Sequence, residues 1–162
     1  EDHGGEAAIM PFSEIIKMMA HPHIERLVKS GIYADAITAK AMIAFISTLE
    51  GNYYKYFNEI LNESQIDWNF SFNNVMNNFH LKLDHTGESA DNLIIIYGLK
   101  RHYPGIRLFV QTIPAFCSAG LVTEAMISRI EEFTGIPVVT LTYDGTNKKQ
   151  NEKIVPYMKF IG

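Results

Sequence analysis

The sequence predicts an α/β sandwich, in which a mainly parallel sheet is covered by helices and preceded by a helix-rich N-terminal part. Three observations predict it. Ile106–Thr112 (IRLFVQT) and Ile136–Tyr143 (IPVVTLTY) have the β-branched, apolar character of strands. Between them, Leu121, Val122, Ala125, Met126, Ile130 and Phe133 recur at helical spacing. A strand–helix–strand succession of this length makes parallel neighbours, and parallel sheets are covered by helices. The first third of the chain reads as helix almost throughout.

Taken in order, Glu6–Phe12 (EAAIMPF) is a candidate short strand. Ser13 is placed to cap a helix carrying Ile15, Ile16, Met18 and Met19. Pro22 should break or restart that helix, because proline lacks the amide hydrogen and crowds the preceding turn. Ile24, Leu27 and Val28 continue the helical spacing, and Gly31 is a plausible C-cap. Asp35 can cap a second helix, with Ile37, Ala41, Ala44, Phe45 and Thr48 marking one face. Gly51 is a possible interruption before Tyr53–Asn62. The stretch Tyr53–Phe79 is rich in asparagine and aromatic residues, which favour interfaces. Ala90–His102 is a helix, Pro104-Gly105 a turn, Thr134-Gly135 a helix end and Gln150–Phe160 a final helix containing Pro156. The whole reads as a single α/β domain, with residues 1–64 helix-rich and 86–162 containing the βαβ unit.

Composition narrows the function. The 162 residues are 47% hydrophobic and 20% charged, which excludes a disordered chain. No apolar run approaches the roughly 20 residues of a membrane span. The net charge of −4 argues against a nucleic-acid partner, for which a basic stripe is expected. A single cysteine, Cys117, excludes an internal disulfide and fits a reducing, cytoplasmic setting.

Ligands of open parallel sheets bind beyond the carboxyl ends of the strands. Two loops sit there, Pro114–Gly120 (PAFCSAG) and the Tyr143–Asn147 turn, so Cys117 and Asp144 should lie near each other if the strands are adjacent. Cys117 precedes a helix, whose N-terminal amides favour a thiolate. The ordinary role of a free cysteine is that of a small buried hydrophobe. Asp144-Gly145 is ordinary turn chemistry, and Glu88 just ahead of a helix complements the helix dipole. Six histidines include the pair His21 and His23, yet no His-Glu-x-x-His pattern occurs. Phosphate-binding glycine loops and the Gly-x-Ser-x-Gly elbow are likewise missing.

The run Ile113–Met126 (IPAFCSAGLVTEAM), followed by Gly135–Thr146 (GIPVVTLTYDGT), resembles the 2-hydroxyacyl-CoA dehydratase component family. It is most similar to the large chains described as acyl-CoA dehydratase activase-related. The shared succession is Gly87-Glu88, a helix, a strand, Pro114–Cys117, a helix, and a strand ending at Tyr143-Asp144. The resemblance covers about Thr86–Phe160. It implies a Rossmann-like three-layer sandwich. It implies a C-terminal lobe, excised from a larger chain, that is not catalytic alone. Cys117 would be one ligand of a [4Fe–4S] cluster, with Gly120, Asp144 and Glu88 beside the cofactor. The rest of a larger chain, or a second subunit, would supply the other cysteines, and acyl-CoA would be the ligand. The alternatives are a non-catalytic CoA- or nucleotide-binding module and an assembly domain.

Overall fold

The computed structural model describes residues 4–8, 10, 12–61, 66–68, 70–82, 88–146 and 149–161. They form α1 (Phe12–Lys29), α2 (Tyr33–Leu61), α3 (Phe72–Asn78), α4 (Glu88–His102), β1 (Phe109–Pro114), α5 (Ser118–Ala125), α6 (Ile127–Thr134), β2 (Val138–Tyr143), a 3-10 turn at Gln150–Lys153, and α7 (Ile154–Ile161). The chain divides into two units. One is Ile9–Trp68; the other joins Glu1–Ala8 to Asn69–Gly162.

This corrects the expected fold class. Among the described residues the sheet has two strands, and helices dominate, so the chain is not a Rossmann-like three-layer sandwich. The β-branched run Ile94–Ile96 lies inside α4, and among the described residues only Phe109–Pro114 and Val138–Tyr143 are strands. The candidate strand Glu6–Phe12 is not one: residues 6–8 are irregular and Phe12 already opens α1. Its alanines and glutamate are poor strand formers. A sheet of two strands has no wide face for helices to cover on both sides.

The first unit is a helical hairpin. Helix α1 passes through Pro22 without ending. A proline inside a helix costs about 3 kcal/mol. Burial around it offsets that cost, since Met18, Pro22 and Ile24 are all buried. The helix ends at the predicted glycine. Gly31 has φ +74°, its N–H reaches Val28 O at 3.1 Å, and Ile32 N–H reaches Leu27 O at 2.9 Å. That is a left-handed helix end of the type glycine favours. Helix α2 is 29 residues long and runs through Gly51 without interruption.

In the second unit, β1 and β2 pair in parallel, with Phe109 beside Val138 and Pro114 beside Tyr143. The helical stretch between them is two helices meeting at Met126, whose N–H is shared between Val122 O and Thr123 O. Its expected apolar stripe is only partly inward. Ile130 is buried, whereas Leu121, Val122 and Ala125 are exposed. The inward line on α5 is Ala119, Gly120 and Thr123. Thr123 Oγ1 accepts from Asn92 Nδ2 at 2.8 Å and donates to Ala119 O, which ties α5 to α4. Phe70, Phe72, Tyr97, Phe133 and Phe79 form a connected aromatic run at the centre of this unit.

Candidate functional site

The strands β1 and β2 are adjacent and parallel, so their carboxyl ends share one edge, where the sequence placed Cys117 and Asp144. Ala115 N–H extends the ladder to Tyr143 O at 2.9 Å. The chain then turns through Phe116, which holds a left-handed φ of +66° and is 95% exposed. Such a backbone is uncommon outside glycine. Cys117 follows as the N-cap of α5. It is half-buried, and its side chain makes no capping hydrogen bond.

The neighbouring candidates have structural roles. The Asp144 carboxylate accepts from Thr146 N–H at 2.9 Å and from Thr146 Oγ1 at 2.5 Å, which closes the turn after β2. Gly120 lies against β1: a Cβ there would sit 2.9 Å from Ile113 Cβ. The absent side chain lets α5 approach the strand, and Gly120 O accepts from Gln111 Nε2 at 3.2 Å. Glu88 opens α4, and its side chain lies outside the described residues, as do His85, Thr86 and Gly87. A shallow cavity of 410 Å³ lies at the opposite, amino end of the strands, lined by Ile106, Arg107, Gly135, Ile136, Phe160 and Ile161.

These residues do not fit an iron–sulfur cluster held by this chain alone. A cluster takes four ligands, mostly cysteine thiolates, and the sequence has one cysteine. No group of three or more His, Cys, Asp or Glu gathers for a metal among the described residues. No helix among them is long and apolar enough to cross a membrane.

The hairpin holds two features that the sequence reading missed. The first is a buried charge cluster. Lys17 Nζ donates to Glu14 Oε1 at 2.8 Å and pairs with Glu50 of α2. The other oxygen of Glu14 accepts the Trp68 indole N–H. Burial works against a charged Lys17, but hydrogen bonds and charges from Glu14 and Glu50 outweigh it and raise the ammonium above its ordinary value. Glu14 and Lys17 lie three apart on α1, and this spacing was the available signal.

The second feature is the outer face of α2. Ala36, Ala39, Ile43, Ile46, Ser47, Glu50 and Tyr54 are buried or half-buried and share one side of the helix. Lys17 holds Glu50, so this side meets α1. On a second side, roughly 110° round the helix, Met42, Phe45, Leu49, Tyr53 and Tyr56 recur at spacings of three and four, with exposures from 43% to 80%. The face marked from sequence (Ile37, Ala41, Ala44, Phe45, Thr48) is exposed throughout and borders this stripe. The aromatic middle segment is split in its role. Trp68, Phe72 and Phe79 are buried, while Tyr53, Tyr56 and Phe57 stand in the open.

No protein-family model matches the chain, and no curated protein or solved structure matches it either. The dehydratase resemblance therefore rests on the residues quoted for it.

Proposed function

We propose that this chain is an assembly module that docks an apolar surface of another subunit onto the outer face of α2. One observation carries the reading. Helix α2 has apolar stripes on two sides, and its own hairpin covers one of them. A surface helix needs only one such stripe. Contiguous exposed apolar patches beyond a few hundred Å² mark interaction sites.

Substituting Phe45→Glu tests it. A docking residue outside the core tolerates the charge, so the unfolding free energy of dilute, unassociated protein should move by no more than about 0.5 kcal/mol. Binding of the dye 1-anilinonaphthalene-8-sulfonate to dilute protein should fall. A loss of several kcal/mol, with the dye signal unchanged, would place Phe45 in a core and end the reading.

A second reading keeps Cys117 as a thiol contributed to a dehydratase-like redox site. Its support is the uncapped thiol at the start of α5, beside the exposed Phe116. It needs three further thiolates from outside this chain. Anaerobic reconstitution with iron and sulfide, in the presence of the subunit supplying them, tests it. A cluster lost on Cys117→Ala supports a ligand role, and a cluster fully retained in that variant ends it.

A further inference from the structure

We infer that the partner of the α2 outer face is a second copy of this chain, packed antiparallel so that two α1–α2 hairpins close into a four-helix bundle. This rests on the docking reading of α2 and names its occupant.

Area is the first argument. Met42, Phe45, Leu49, Tyr53 and Tyr56 are each at least 43% exposed. At about 200 Å² for a fully exposed large side chain, they present roughly 600 Å². A stable interface buries about 600–1,000 Å² per partner, so this face meets the lower bound of what a dimer needs.

Charge is the second. None of those five residues is charged. A neutral apolar face is complementary to itself and needs no oppositely charged partner. A lipid surface would instead select a helix rich in lysine and arginine. Among the described residues of α2, only Lys40 and Lys55 are basic, in a chain of net charge −4.

The spacing of the stripe gives the orientation. It is symmetric about Leu49: Phe45 and Tyr53 lie four residues to either side, and Met42 and Tyr56 seven. Antiparallel pairing centred on Leu49 sets Phe45 against Tyr53 and Met42 against Tyr56, and it opposes the helix dipoles favourably. The hairpin supplies two helices per copy, and two copies make the bundle of four in which both apolar sides of α2 are covered.

The test uses the full chain. Sedimentation equilibrium should give a concentration-dependent dimer. Phe45→Glu, which places a charge one turn from the axis in both copies, should weaken it about a hundredfold or more, as loss of a central aromatic anchor does. Phe160→Glu, on a separate exposed aromatic, should leave it intact. A nitroxide on Tyr33→Cys, with Cys117→Ser, then reports orientation by pulsed electron resonance. Antiparallel copies centred on Leu49 hold the labels about 48 Å apart along the axis, at 1.5 Å per residue. A separation under about 20 Å means parallel packing and overturns the inference. A dimer unaffected by Phe45→Glu overturns it as well. A monomer whose dye binding is abolished by Phe45→Glu overturns the second copy but leaves the docking reading standing. A monomer without that dye signal ends both.

Discussion

Lys17 of α1 reaches across the hairpin to Glu50 of α2 while holding Glu14, three residues earlier on its own helix, at 2.8 Å. This pairing fixes which side of α2 faces inward. It also gathers two carboxylates around one ammonium. Replacing Lys17 by Met removes the cation they share from a buried site. Breaking a buried pair from one side costs about 3–5 kcal/mol. Urea unfolding of Lys17→Met should show a loss of that order. A neutral change would mean that water, not the lysine, compensates the carboxylates.

The same lysine sets an alkaline limit. Its ammonium titrates above its ordinary value of 10.5 in the folded chain. A raised value means that the folded state holds the proton more tightly than the unfolded one. The contribution is therefore complete below pH 10.5 and is lost as pH rises through the folded value. Chemical denaturation between pH 9 and 12 should show wild-type stability falling more steeply than that of Lys17→Met. Parallel curves would remove Lys17 from the account.

At the acid side the relevant group is His21 on α1. Partial burial of its ring, with a smaller contribution from the Lys40 charge, holds its value below 6.5. The unfolded chain binds the proton more readily, so stability is full above pH 6.5 and declines as pH falls towards the folded value. His21→Gln should flatten the stability curve between pH 7 and 5. An unchanged slope would assign the acid sensitivity to other groups.

Gly120 of α5 lies directly against Ile113 of β1. Adding a methyl group in Gly120→Ala forces Ile113 to move, because the new Cβ would meet that side chain within 3.0 Å. Overpacking of this kind costs about 1–3 kcal/mol. Pairing it with Ile113→Ala should recover part of the loss, since residues in contact do not add independently. Strict additivity would show that the two sites do not share space.

Much of the local structure was legible in the sequence. The helix over 90–102, both strands and their parallel pairing, and the helix end at Gly135 follow from spacing and turn chemistry. The fold class was not, because a sandwich requires strands that this composition does not supply. Pro22 misled, since packing of Met18 and Ile24 overrides its local cost. Gly51 misled for a similar reason: one glycine costs about 1 kcal/mol in a helix interior, too little to break a long one. At the candidate sites, the shared edge of Cys117 and Asp144 was foreseeable from the strand order. That Asp144 closes a turn, and that Gly120 makes room for Ile113, required coordinates. The α2 face was half visible. Its apolar residues repeat in two registers, and only the partner helix reveals which register is covered.

The most direct test of the account is sedimentation equilibrium of the full chain beside its Phe45→Glu variant. The account predicts a wild-type dimer and a folded, monomeric variant with an unchanged circular dichroism spectrum. A wild-type chain that stays monomeric at every concentration, or a dimer that Phe45→Glu leaves intact, would contradict it.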